Sequence, residues 1–256
     1  MVEKLVAANP AAADRYLLKL VQDLAQDAIR QRGRFIMALS GGSSPLPFYR
    51  LLVAADFPWS QTDAWMVDER FVPDGHADHN GSAIRAILGS KPNSLHLIDT
   101  AQATAVMAAE RYAADLAAVP AAAANTGNLA ALPAAGAWPA FDFMLLGMGA
   151  DGHTASLFPG TGAVDVVDRA ALAVTPLTAP HQRISLSLPV LNAAGCVVFL
   201  VTGAAKREML ARVLSGQNRE LPASLVDPTR GRGLFLGDTQ SFPGVIPMQE
   251  LGVDLP

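Results

Sequence analysis

The chain has 256 residues, of which 51% are hydrophobic, and it carries a formal net charge of −4 and a single cysteine. That apolar content is ample for a large core and excludes disorder as the default state. The acidic balance gives no electrostatic footing for nucleic acid or an anionic membrane, and one cysteine cannot form a disulfide within the chain. Glu3, Asp14 and Lys19 interrupt any apolar core of a signal peptide, and no apolar run reaches the roughly 20 residues of a membrane-spanning helix. A cytoplasmic protein is expected, monomeric or a small homo-oligomer, with no nucleic-acid or membrane partner.

Leu17, Val21, Leu24 and Ile29 recur at helical spacing among charged residues, which predicts an amphipathic helix over 11–31 ending near Gly33. Phe35–Leu39 reads as a short buried strand. Ser40-Gly-Gly-Ser-Ser-Pro45 joins it to a helix over Leu46–Ala55, with Ser44 as the expected N-cap and Pro45 at the first helical position. Gly41 and Gly42 expose backbone N–H groups beside the positive end of that helix dipole. They form either a plain tight turn or an anion site, phosphate being the usual anion. The spacing is not that of a Walker A loop.

Asp63–Val67 is a third strand, with Asp68-Glu69-Arg70 at its end and an irregular polar segment from Pro73 to Gly81. His76, Asp78, His79 and Asn80 in that segment invite a metal reading, but their spacing matches no common zinc pattern, so no metal is expected. Arg70 stands out because it sits at a strand end. An alanine-rich helix over 101–118 follows. Residues 119–140, almost all Ala, Pro, Gly and Asn, read as a long, mobile excursion without an assigned function.

Phe141–Leu146 has the length of a buried strand. Glycines at 147, 149 and 152 then turn the chain and let another molecule approach the backbone. Asp151, His153, Thr154 and Ser156 follow within six residues, so the segment reads as a strand ending in a polar pocket floor, where open α/β sheets bind ligands. Gly147-Met-Gly-Ala-Asp-Gly152 also matches a dinucleotide fingerprint. Pro159, Gly160 and Gly162 break the chain too early for the helix which that fingerprint requires.

Ala170–Val174 is a candidate strand, Arg183–Leu188 alternates like a half-buried one, and Pro189 can start a short helix. Cys196–Val201 is another buried strand, leading through Thr202 and Gly203 into a helix over Ala204–Leu214. Lys206 in its first turn opposes the helix dipole; a bound anion would remove that conflict, and an exposed helix lysine is the alternative. Residues 231–237 give a last strand. The alternation predicts a single α/β domain over 1–256 with a mainly parallel, Rossmann-like sheet and helices on both faces.

Five segments carry a resemblance. They are Ser40-Gly-Gly-Ser-Ser-Pro45, Asp68-Glu-Arg-Phe-Val-Pro73, Leu146-Gly-Met-Gly-Ala-Asp-Gly-His-Thr-Ala-Ser-Leu-Phe-Pro159, Arg183-Ile-Ser-Leu186 and Gly203-Ala-Ala-Lys206. Together they resemble the 6-phosphogluconolactonase family, in the family's order, with the Leu146–Pro159 segment the most specific. The resemblance implies the fold of glucosamine-6-phosphate deaminase and ribose-5-phosphate isomerase. It also implies hydrolysis of a small sugar-phosphate lactone, 6-phospho-D-glucono-1,5-lactone, in the pentose phosphate pathway, with no cofactor. It makes His153 the catalytic base, and Arg70 and Lys206 the phosphate-binding cations.

Lactone chemistry agrees, because the carbonyl needs an attacking water, a base and donors for the oxyanion. Asp151 is placed to orient His153 or to contact sugar hydroxyls. Backbone N–H groups of the glycine turn, Gly149 among them, are placed for the oxyanion. Gly41, Gly42 and Ser43 would hold the phosphate with the two cations. Asn80 and Arg183 complete the expected substrate-binding set. The chain departs from the family where its usual Ser-Asn pair is His79-Asn80, and in the length of the 119–140 excursion. The deaminase branch has a tyrosine where this chain has Arg70, and Phe-Asn-Glu-Pro where it has Ser156–Pro159. Regulators that share the fold need a DNA-binding module, and residues 1–33 hold one helix and no basic helix-turn-helix.

Overall fold

A computed structural model describes residues 2–118, 140–228 and 231–247. β1 (Glu3–Ala7) leads into α1 (Pro10–Arg32). Asn9 starts that helix by accepting the Ala12 N–H at 3.0 Å, and the Gly33 N–H closes it on the Ile29 carbonyl at 2.8 Å. β2 (Phe35–Leu39), α2 (Leu46–Ala54), β3 (Thr62–Met66), β4 (Asp68–Arg70), α3 (Asn80–Leu88), β5 (Ser94–His96) and α4 (Ala105–Ala118) follow. The second half holds β6 (Phe143–Leu146), β7 (Ala171–Val174), β8 (Arg183–Leu186), α5 (Leu188–Ala193), β9 (Cys196–Val201), α6 (Arg207–Leu214) and β10 (Arg232–Asp238).

Seven strands form one parallel sheet in the order β1-β10-β9-β6-β2-β3-β5. Every residue of β2, β6 and β9 is buried, as unbroken apolar strands are when both faces are covered. From β2 the chain builds outward through β3 to β5. From β6 it builds the other way, through β9 to β10. The reversal therefore falls between β2 and β6.

A second, antiparallel sheet has the order β4-β8-β7. Val67 links the two sheets: its N–H donates to the Leu39 carbonyl and its own carbonyl accepts the Leu186 N–H, both at 2.9 Å. The chain thus passes from β3 into β4 through one residue, and Arg70 comes to lie opposite Arg183. Among the described residues no helix is long and apolar enough to cross a membrane.

The parallel α/β architecture matches the expectation, and the small antiparallel sheet adds to it. Local readings need correction. Pro45, not Ser44, occupies the cap position of α2, without a side-chain hydrogen bond. β1 goes unread because only two of its five residues are buried at the sheet edge. α3 and β5, over Asn80–Leu88 and Ser94–His96, add to the elements expected from sequence. The alternating serines of 183–188 do not face water: Ser185 and Ser187 are fully buried, and the Ser185 hydroxyl accepts the Ser156 N–H at 3.1 Å and donates to the Leu186 carbonyl at 2.9 Å. The alanine-rich helix begins at Ala105, and the helix expected from Ala204 opens as a 3₁₀ turn before α6. The 119–140 excursion lies outside the described residues apart from Ala140.

Candidate active site

Two loops meet at the sheet reversal. The loop after β2 turns at Gly42, whose φ of 86° is a conformation that other residues rarely adopt. The loop after β6 runs from Gly147 to Gly152. Together they border a cavity of about 420 Å³, within the roughly 300–1,000 Å³ of small-molecule sites. Crevices at such reversals, outside the carboxyl ends of the strands, are where open α/β sheets take ligands. Gly41, Gly42, Ser43, Arg70, Asn80, Gly149, His153 and Lys206 line the cavity. Asp151 and Arg183 do not line it and touch its neighbours instead.

Asp151 Oδ1 accepts the His153 backbone N–H at 3.1 Å and lies 2.5 Å from His153 Nδ1. A carboxylate there holds the proton on Nδ1 and leaves Nε2 as the basic nitrogen. Phe158 packs on the imidazole with ring centroids 4.2 Å apart, and the Arg183 guanidinium stands 5.9 Å from the Phe158 centroid. Gly149 sits against this pair. A Cβ on it would collide with both His153 Nδ1 and Asp151 Oδ1. Gly149→Ala is therefore expected to part the pair and lower kcat by roughly 100-fold, the cost of a misplacement on the order of 1 Å. Steady-state kinetics beside an unchanged circular dichroism spectrum checks this; normal turnover would mean that the contact is dispensable.

The oxyanion expectation for Gly149 needs correction. Its N–H donates to the His153 carbonyl at 2.8 Å, and the Gly152 N–H to the Gly149 carbonyl at 3.2 Å, so both are used within the turn. The Ala150 and Asp151 N–H groups make no hydrogen bond among the described residues, and Ala150 lines the cavity.

Three cations stand at the cavity or beside it. Lys206 Nζ donates to the Met148 carbonyl and Arg70 Nη1 to the Asp78 carbonyl, each at 2.8 Å. Neither they nor Arg183 form an ion pair with a carboxylate among the described residues. Arg183 is buried, and its Nε and Nη1 have no partner among the described residues. Burial, and then the nearby Arg70 charge, pull its pKa below that of an ordinary guanidinium. Like charges on facing strands repel, and buried donors without acceptors are costly. A bound anion relieves both conflicts.

One cavity residue is missing from the set that sequence reasoning supplies. Asp68 is buried, lines the cavity and accepts the Ser156 hydroxyl at 2.6 Å. Its place at a strand end, two residues before Arg70, was the available signal. Glu69 beside it is fully buried and accepts the N–H groups of Arg70 and Asn80 at 2.7 Å and of Gly81 at 2.6 Å. Burial pushes its carboxyl up to about 7 against the pull of those donors. The His79-Asn80 pair divides. Buried His79 caps α3 by accepting the Ser82 N–H at 3.0 Å, and burial lowers its pKa. Asn80 faces the cavity and its Nδ2 donates to the Asp68 carbonyl at 3.4 Å.

Fold and site together define an α/β protein with a cavity lined by glycine turns and cations at the reversal point of a parallel sheet. Residues 8–235 match the family model described as glucosamine-6-phosphate isomerases/6-phosphogluconolactonase. The 6-phosphogluconolactonase of Nostoc sp. is 35% identical over 227 residues, 86% of this chain and 89% of that one. That of Rattus norvegicus is 36% identical over 237 residues, covering 88% and 87%. A solved 6-phosphogluconolactonase from Trypanosoma brucei aligns with a TM-score of 0.81 at 26% identity, over 96% of this chain and 99% of that one. A monomeric glucosamine-6-phosphate deaminase, 14% identical, shares the fold with a TM-score of 0.75 over 94% and 98% of the two chains. The chain belongs to the glucosamine-6-phosphate isomerase/6-phosphogluconolactonase family, on its 6-phosphogluconolactonase side.

Proposed function

We propose that this enzyme hydrolyses 6-phospho-D-glucono-1,5-lactone to 6-phosphogluconate in the pentose phosphate pathway, with His153 as general base. One observation carries the reading: three cations without carboxylate partners stand near one cavity that also holds an imidazole backed by a carboxylate. Arg70, Lys206 and Arg183, with the Gly41–Ser43 loop, take the phosphate dianion. The lactone carbonyl then lies at His153. Nε2 removes a proton from water as its oxygen adds to the carbonyl carbon, and Asp151 stabilises the resulting imidazolium. The Ala150 N–H receives the oxyanion. Collapse breaks the bond to the ring oxygen, which takes the proton back from His153, giving a carboxylic acid that ionises in water. Asp68 and Asn80 face the sugar hydroxyls. The reaction is placed in the cytoplasm, a setting that suits the buried free thiol of Cys196.

A lactonase assay with spontaneous hydrolysis subtracted tests the reading, and a rate above background is expected. In the same assay Lys206→Ala should lower kcat/KM by roughly 10- to 150-fold on the phosphorylated lactone, since a charged hydrogen bond is worth about 1.5–3 kcal/mol. Unphosphorylated gluconolactone should change little. No rate above background would overturn the proposal, and equal losses on both substrates would remove Lys206 from the phosphate site.

A further inference from the structure

Three side chains near the cavity, but not lining it, have no part in the chemistry above: His76 and Asp78 after β4, and His181 just before β8. His181 is 103 residues from Asp78 in sequence, and the pairing of β4 with β8 brings the two together. His181 Nε2 lies 3.1 Å from Asp78 Oδ2, and His76 Nδ1 lies 3.9 Å from the same oxygen. One donor atom from each residue can be chosen so that all three fall within 4.8 Å of one another. The imidazole centroids are 5.5 Å apart with planes at 76°, so the rings do not stack against each other and converge on the shared carboxylate. All three side chains are solvent-accessible, which leaves room for a water.

Two imidazole nitrogens and one carboxylate oxygen form a donor set that zinc accepts, with water in the fourth position. Ligands about 2.0–2.2 Å from a tetrahedral ion stand roughly 3.3–3.6 Å apart. The observed 3.1 and 3.9 Å separations bracket that range, and His76 Nδ1, which accepts the Asp78 N–H at 3.0 Å in the free protein, would exchange that bond for the ion as the side chains rotate. We propose that His76, Asp78 and His181 bind a zinc ion at the rim of the substrate cavity, apart from the reacting groups. The ion would tie the segment after β4 to the entrance of β8. Asp78 also offers its carbonyl to Arg70 Nη1, so the same bond steadies a residue of the phosphate end. The Arg70 and Arg183 charges nearby weaken cation binding, which makes this a looser site than a buried zinc centre.

Zinc titrated calorimetrically into the untagged full chain tests the proposal. Saturable one-to-one binding is expected. His181 has a left-handed backbone with φ 66°, which asparagine tolerates, so His181→Asn removes the imidazole while sparing the loop. It should weaken binding by at least the roughly 10- to 100-fold that loss of an outer partner of a metal ligand costs. His153→Gln should bind zinc as wild type does. The proposal is overturned by a wild-type protein that takes up no zinc stoichiometrically, or by undiminished binding in His181→Asn. Loss confined to His153→Gln would also overturn it, by placing the ion on the catalytic imidazole.

Discussion

Replacing His153 with alanine should lower kcat by about 10²- to 10⁴-fold, the contribution of one positioned general base. The fold should survive, because the imidazole side chain is 30% exposed at a strand-end turn. His153→Gln keeps polarity but cannot accept a proton at neutral pH, so it should be impaired to a similar degree. A His153→Ala variant with near-normal kcat would put the base elsewhere, with Asp151 the next candidate.

Arg183→Met should move stability and activity in opposite directions. In the free protein the guanidinium is buried, leaves Nε and Nη1 without acceptors among the described residues, and faces Arg70. An apolar side chain of similar length removes buried donors that lack acceptors, worth about 1–3 kcal/mol of added stability. For a chain of this size that raises Tm by roughly 2–12 °C. Losing the same group should cost roughly 10- to 150-fold in kcat/KM on the phosphorylated lactone. Inorganic phosphate should raise the wild-type Tm more than that of the variant, because it binds the native state through this group. A lower Tm together with unchanged kinetics would make Arg183 a structural residue and withdraw it from the phosphate site.

What the sequence made legible follows the strength of local signals. β2, β6 and β9 are apolar throughout, and glycines mark the turn after β6, so these inner strands of the large sheet could be read residue by residue. β1 escaped because its outer half is a solvated Glu-Lys edge, a pattern shared with coil. β4, three residues long, holds only charged side chains, and nothing local announces that Asp68 and Glu69 are buried. Their burial depends on β8, more than a hundred residues away. For the same reason Ser185 of β8 reads as solvent-facing although it is fully buried. At the site, His153 and Asp151 are neighbours in the chain and could be paired by inspection. The meeting of His181 with His76 and Asp78, and of Arg183 with Arg70, is a product of strand pairing that no local pattern encodes.

Val67 also fixes something that the cavity's size does not express. Side chains alternate across a strand, and here Asp68 and Arg70 line the cavity while Glu69, between them, turns to the α3 backbone. Which of the three faces the substrate is decided by the parity of the residue count after Val67, whose two hydrogen bonds clamp it to both sheets. Inserting one residue at this handover would exchange the faces, placing the Glu69 carboxylate where the Arg70 guanidinium now stands. In an ordinary surface loop one extra residue is absorbed as slack; at this position the same change reverses the sign of the charge offered to the ligand.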